Sequence, residues 1–517
     1  MGVKEGEMGE KRRKRNKLAF GCAMLASMSS ILLGYDIGVM SGAALYIERD
    51  MKVTEVEIEI MNGIINLYSP VGSFIAGRTS DWIGRRYTIV VAGLMFFVGA
   101  IIMGFSPNYA FLMFGRFFAG VAIGFAFLIA PVYISEISPT SSRGFLTSLP
   151  EIFLNGGILI GYISNYGFSK LPLRLGWRLM LGVGAVPAIF LALGVLAMPE
   201  SPRWLVAKGR IAEAKTVLQK ISDSEQEARL RLEDIKDATG IRITEDDVVL
   251  LTNQTHGHGV WKELFLHPTP AVRHIFIASL GIHFFAQATG IDAVVLYSPR
   301  IFHKAGIKSD NYLLLATVAV GFVKTLSILV ATFLLDRAGR RLLLLCSVGG
   351  LFVSLLALAV SLTVVEHSRT TLSWGVGLSI AAVLCYVATF SMGSGPITWV
   401  YSSEIFPLRL RAQGVAIGAA VNRVTSGVIS MTFISLYKAI TIGGAFFLFA
   451  ALAVAAWIFH YTLLPETRGK TLEEIEASFG HFFRKPTANN GQIQLRTHSL
   501  NSTTLAQDST IVTTYPI

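Results

Sequence analysis

Five ionisable side chains stand alone in long apolar stretches: Asp36, Arg116, Glu151, Asp292 and Lys324. Asp36 is the only charge from Leu18 to Ile47, Arg116 from Phe111 to Ser135, and Glu151 from Phe145 to Phe168. Asp292 is alone from Ile275 to Ser298, and Lys324 from Tyr312 to Leu335. A lone charge at mid-membrane costs about 2.5–3.5 kcal/mol on insertion scales. A chain that tolerates five must give them a polar cavity or an ion pathway among its helices, which is the chemistry of a carrier.

The elements that must position these groups follow from composition. The 517 residues are 52% apolar and 15% charged, where a soluble domain carries about 25% charged residues. A spanning helix needs roughly 20 mostly apolar residues. Twelve stretches qualify, near 18–47, 60–77, 87–105, 111–135, 145–168, 178–198, 273–298, 312–335, 342–365, 374–402, 413–437 and 440–464. The first runs on into more membrane instead of a small-residue cleavage site, so it reads as a signal anchor. The chain is an all-α, polytopic membrane protein.

Its net charge of +11 is not a nucleic-acid signature, because the positive residues collect on alternate loops. Lys11, Arg12, Arg13, Lys14, Arg15 and Lys17 precede the first span; Arg78, Arg85 and Arg86 follow the second, Arg143 the fourth, Arg337, Arg340 and Arg341 the eighth, Arg409 and Arg411 the tenth. The loop after the first span carries Glu48, Asp50, Glu55, Glu57 and Glu59 instead. The positive-inside rule then puts both termini in the cytosol, where the sequons at Asn253 and Asn501 stay bare. Cys22, Cys346 and Cys385 fall in spans without metal-like or framework spacing, and no metal site is expected.

The expected organisation is a basic N-terminus (1–17), a six-helix bundle (18–198), a cytosolic linker with short helices (199–272), a second six-helix bundle (273–464) and a tail (465–517) disordered after about 480. The two bundles echo each other. Asp81-Trp-Ile-Gly-Arg-Arg86 is matched by Asp336-Arg-Ala-Gly-Arg-Arg341, Ser135-Glu136-Ile-Ser-Pro139 by Ser403-Glu404-Ile-Phe-Pro407, and Pro199-Glu200-Ser by Pro465-Glu466-Thr. Three pairs in one order indicate a duplicated six-helix unit, and two such halves surround a central site near the midplane. Arginine forks pair with carboxylates at helix ends. Arg78, Asp81, Arg85, Arg86, Glu136 and Arg143, with Asp336, Arg340, Arg341, Glu404 and Arg411, are therefore candidates for a cytosolic latch between access states.

These motifs carry a resemblance. Gly77-Arg-x-x-Asp-x-x-Gly-Arg-Arg86 and its repeat, Pro131-x-Tyr-x-Ser-Glu136, Pro199-Glu-Ser-Pro-Arg-Trp204, Gly395-Pro-x-x-Trp399 and Pro465-Glu-Thr-Arg-Gly-Lys470 resemble the sugar porter family of the major facilitator superfamily. Leu149-Pro-Glu151 and the segment Gly290 to Ser298 resemble its plant polyol and monosaccharide transporters, the proton-coupled type. The resemblance implies that Asp36 is the protonation site and Arg116 its cation: desolvation favours a neutral carboxyl and a nearby cation favours the charged form. It also places Glu151, Gln287, Asp292, Lys324, Trp399 and Asn422 at the substrate. Amides donate and accept, and an indole offers an apolar face and an N–H.

The departures from the family pattern are chemical. Many members carry glutamine at the position of Glu151, a Gln-Gln pair at Ala286-Gln287, and asparagine at Asp292 and Lys324. Three neutral amides have become two acids and a base, which suits open-chain polyols beside cyclic sugars through charge-assisted hydrogen bonds. An internal salt bridge that never meets substrate, or a second proton site at Glu151, are the other readings. Arg423 either reaches this pocket or bonds backbone carbonyls near a helix break. The resemblance implies a plasma-membrane importer, functional as a monomer in the lipid bilayer, with no cofactor beyond the coupling proton and no nucleic-acid partner. A passive uniporter and a non-transporting sensor are the alternatives. No Walker loop, dinucleotide fingerprint, zinc spacing or nucleophile elbow supports an enzyme.

Overall fold

The computed structural model describes residues 17–139, 142–239, 241–243, 249–251, 268–368, 372–407, 410–468 and 479. The basic run 11–15, Asn253, Asn501, Arg409 and the tail after 480 lie outside the described residues, as do the side chains of Arg143, Asp336 and Arg337.

The first half comprises α1 (Lys17–Met51), α2 (Glu55–Ile83), α3 (Arg85–Gly104), α4 (Tyr109–Ile137), α5 (Arg143–Phe168), α6 (Leu173–Gly182) and α7 (Ala185–Leu196). The linker holds α8 (Pro202–Ala207), α9 (Ile211–Ile221), α10 (Glu225–Thr239) and strands β1 (Ile241–Ile243) and β2 (Val249–Leu251). The second half comprises α11 (Pro270–Ala288), α12 (Ile291–Lys304), α13 (Asp310–Ala338), α14 (Arg340–His367), α15 (Ser373–Met392), α16 (Ser394–Ile405), α17 (Arg411–Ile440) and α18 (Ile442–Leu463). The short helices of the linker match expectation. The antiparallel ribbon β1–β2, with Arg242 opposite Leu250, departs from the all-α expectation.

Eleven helical stretches among the described residues are long and apolar enough to cross a membrane, with α6–α7, α11–α12 and α15–α16 each forming one. The twelfth expected span is α2. It is 29 residues long but falls short in hydropathy because Glu59, Asn62, Asn66 and Ser69 lie on its buried face. That face meets the other half, so the polarity that weakens α2 as a span makes it part of the interface. Large apolar side chains such as Phe74, Phe190, Phe322, Phe333 and Ile458 point outward. Small and polar residues point inward, as expected where lipid replaces water outside.

Within the first half α1 packs on α5 and α4 on α2 and α3; within the second α14 packs on α15 and α18. The halves meet along α2–α17, α5–α13 and α1–α12. Contact between α1 and α5 is backbone to backbone: a Cβ on Gly34 would lie 2.0 Å from the Leu154 carbonyl oxygen, and one on Gly161 would lie 2.7 Å from the Val39 nitrogen. The α11–α12 break sits at Gly290, whose φ of 90° is the left-handed region that glycine enters without cost.

The two ends of the bundle differ. The α1–α2 turn and the residues near Asp310 and Lys438 lie at one, hereafter the acidic end. The duplicated arginine motifs lie at the other, the basic end.

Candidate functional site

Asp36 and Arg116 form a closed pair in the first half. Arg116 Nη1 donates to both carboxylate oxygens of Asp36, at 2.8 and 2.9 Å, while Nε and Nη2 donate to the Met61 carbonyl at 3.0 and 2.8 Å. Arg116 is fully buried and Asp36 is 3% exposed. The guanidinium is thus pinned between α1 and α2, and the carboxylate is the partner with freedom to leave. In a low-dielectric site such a pair holds only while both members keep their bonds.

The second cluster lies between the halves. Lys324 on α13 feels the charges of Glu151, Asp292 and Arg423, and Arg423 those of Asp292 and Glu151. These two acids and two bases thus act on one another through space, and Arg423 Nε is buried without a hydrogen-bond partner. Its guanidinium lies 4.5 Å from the Phe127 ring centroid. Phe127 meets Trp399 edge to face at 5.2 Å, and Trp399 meets His283 at 4.9 Å. This aromatic floor spans both halves on the basic-end side of Asp292.

Gln287 Nε2 donates to Asn422 Oδ1 at 3.3 Å, and Asn422 Nδ2 to the His283 carbonyl at 3.4 Å. Gln287 Oε1 and Asn155 Oδ1 are buried with no protein partner, and Asn155 Nδ2 donates to the Glu151 carbonyl at 2.8 Å. Lys324, 8% exposed, has no ion pair within 4.0 Å among the described residues; its attraction to both carboxylates acts across a gap. Asp292 sits in the first turn of α12, where unpaired N–H groups and the helix dipole favour negative charge, and it accepts from Ser426 Oγ. The six candidate residues thus converge, and Asn155, Ser426 and Arg423 join them. His283 bonds Ser402 at 2.9 Å, whereas both ring nitrogens of His460 are buried among aromatic rings without partners.

At the acidic end Asp50 pairs with Arg178 inside the first half at 3.2 Å, and other polar contacts run between halves. Arg49 forks onto Asp310 at 2.7 and 3.2 Å, Arg300 pairs with Glu48 and Lys438 with Glu55. Buried Glu59 accepts from Ser435 N–H at 2.8 Å and from its hydroxyl at 2.5 Å.

At the basic end the described ion pairs stay within each half. Arg85 Nε lies 3.3 Å from Glu136 and its Nη1 3.1 Å from Asp81; Arg340 pairs with Glu404 at 3.1 Å. Two carboxylates outside the expected latch complete the picture. Glu200 accepts from the N–H groups of Arg85, Arg86 and Ser201, and Glu466 from those of Arg340, Arg341, Thr467 and Arg468. Ser201 and Thr467 then donate to Glu136 and Glu404.

The motif glycines explain themselves here. Gly84 and Gly339 have φ of 99° and 86°, and a Cβ would lie 2.2 Å from Glu200 Oε2 and 3.1 Å from Glu466 Oε2. Burial pushes the Glu200 carboxyl above its usual value, against its N–H donors and the Arg85 charge. Burial, the largest single influence, pushes Glu466 up too, but four backbone donors hold it below. Arg86 and Arg341 turn their side chains to the carbonyls of Leu196 and Tyr461, and Arg411 to that of Phe406. Arg78 stacks over Phe74 at 5.2 Å.

A family model described as sugar (and other) transporter matches residues 22–479. The chain belongs to that family. Polyol transporter 5 of Arabidopsis thaliana is 64% identical over 482 residues, 93% of this chain and 89% of that one. Putative polyol transporter 2 of the same plant is 61% identical over 484 residues, 93% and 95% of the two chains. The E. coli xylose transporter XylE, solved in a partially occluded inward-open conformation, superposes with a TM-score of 0.73 at 23% identity, over 88% of this chain and all of that one. The chain therefore has the major facilitator fold, as the duplicated motifs implied, and it is a multi-pass membrane transporter, not an enzyme.

Proposed function

We propose that this chain is a proton-coupled symporter. It imports polyols of the sorbitol, xylitol and inositol type, with monosaccharides, across the plasma membrane, as a monomer with both termini in the cytosol. The acidic end then faces outside. The observation that carries the reading is the buried Asp36–Arg116 pair beside a separate central cluster of two acids and two bases. The high identity to proteins named polyol transporters supports the substrate class.

In the outward-facing state Asp36 takes a proton and its contact with the pinned Arg116 weakens. The substrate hydroxyls then bind the carboxylates, Lys324, Arg423, Gln287 and Asn422, with Trp399 against the C–H face. The halves close at the acidic end through the Glu48, Arg49, Glu55 and Glu59 contacts. Proton and substrate leave through the basic end, where Arg85–Glu136 and Arg340–Glu404 hold the helix ends of each half during the rocking. Voltage clamp of cells expressing the chain, with sorbitol, myo-inositol, xylitol, glucose and fructose at acidic and neutral pH, tests this. Inward currents that grow with acidity and appear for linear polyols support it; tracer uptake without current leaves a uniporter, and neither in surface-exposed protein leaves a sensor.

A further inference from the structure

One stretch of α2 touches both sites. The Met61 carbonyl holds Arg116. Five residues on, a rise of about 7.5 Å along a helix, Asn66 Nδ2 donates across the interface to Ser426 Oγ on α17 at 2.8 Å. Ser426 in turn gives its single proton to Asp292 on α12. Ser426 is fully buried and Asn66 is 5% exposed, so water does not compete for these bonds. The helices are pressed together along this seam: a Cβ on Gly63 would lie 2.2 Å from Met431 Cγ, and one on Gly427 would lie 3.0 Å from a Leu67 methyl. The direction of donation is fixed. An amide N–H donates to a hydroxyl oxygen, which leaves the hydroxyl proton for the carboxylate.

We propose that Asn66 and Ser426 are positioning residues for Asp292, and that through α2 they make the grip of Asp292 on substrate depend on the Asp36–Arg116 pair. When Asp36 is protonated, Arg116 loses its charged partner and bears harder on Met61. The turn of α2 between Met61 and Asn66 carries that change to the Asn66–Ser426 bond and so to the orientation of Asp292. The charged group facing Asp36 is Arg116 from α4, which α2 holds through the Met61 carbonyl, and Tyr35 lies beside Asp36 on α1. The proposal rests on the reading of Asp292 as a substrate ligand.

The test measures sorbitol half-saturation from outer pH 7 to pH 5 by voltage clamp, with currents normalised to surface-labelled protein. Asn66→Leu and Ser426→Ala are each expected to raise half-saturation at pH 5 about tenfold, the scale of one hydrogen bond to a charged group, and to flatten its pH dependence. Ser426→Thr keeps the hydroxyl and retains both properties. In an Asp292→Asn background neither change adds anything. Wild-type half-saturation and pH slope in Asn66→Leu and Ser426→Ala, with both lost in Asp292→Asn, overturn the relay alone. An unchanged half-saturation in Asp292→Asn removes the substrate reading and the relay with it.

Discussion

Asp36→Asn separates the energetic from the structural role of the buried pair. Arg116 keeps two bonds to the Met61 carbonyl and, from the asparagine, one carbonyl oxygen in place of a carboxylate. Removing one partner of a buried pair costs about 3–5 kcal/mol, and the retained bonds place this change near the lower figure, about 3 kcal/mol by the same scale. The variant should still fold, with a lower melting temperature. Transport changes in kind. A 100 mV potential is worth about 2.3 kcal/mol per charge, and two pH units add about 2.7 kcal/mol. Together, at about 1.4 kcal/mol per decade, they sustain a gradient of a few thousandfold with one proton per substrate. With no titrating carboxyl at position 36 that gradient collapses to unity, while exchange of labelled for unlabelled sorbitol continues. The assay is tracer accumulation in energised vesicles with and without an uncoupler, beside counterflow. Accumulation by Asp36→Asn that an uncoupler still abolishes refutes the assignment and makes Glu151 the next candidate.

Three further outcomes follow from the ends of the bundle. Glu466 titrates below the usual carboxylate range, so its anion adds stability above about pH 4.3 that is lost as pH falls through its own lower value. Glu200, raised by burial, adds stability only at low pH and loses it as pH rises; Glu466→Gln should therefore lower the melting temperature more than Glu200→Gln at pH 7, the difference shrinking as pH falls below about 4.3. Gly84→Ala meets both the left-handed φ, worth about 1–3 kcal/mol of strain, and the Glu200 carboxylate at 2.2 Å. It should reduce folded protein by fluorescence size exclusion well beyond Gly339→Ala, and equal yields count against the seat described. At the acidic end Arg300→Glu should slow uptake by disfavouring closure, and the exchanged pair Arg300→Glu with Glu48→Arg should restore it; no rescue means that the Glu48 contact is incidental.

Charges isolated in apolar helices were legible because nothing nearby in sequence could neutralise them, so Asp36, Arg116 and Lys324 announced an interior. Their partners were less so. Ser426 is one hydroxyl among many in membrane helices, and it meets Asn66 across 360 positions, a separation at which no local pattern survives. The acidic residues around the end of α1 carry a topology signal in the sequence, but Glu48 and Glu55 also fasten the halves through Arg300 and Lys438, beside the separate Arg49–Asp310 pair. Glu200 and Glu466 were visible as repeated letters. Their function depends on the positive φ of Gly84 and Gly339, a backbone property that emerges only when three helix ends converge.

The clamp at the basic end appears twice, and each copy closes on its own half. The linker sides with the first: Arg231 bonds the Glu136 carbonyl at 2.9 Å and Trp204 that of Asp81 at 3.2 Å. A unit that fastens itself does not need its twin to be covalently attached. Two separate polypeptides divided within residues 252–267 should assemble into a working carrier by side-chain contact alone, which makes the present chain a dimer whose subunits happen to share one gene.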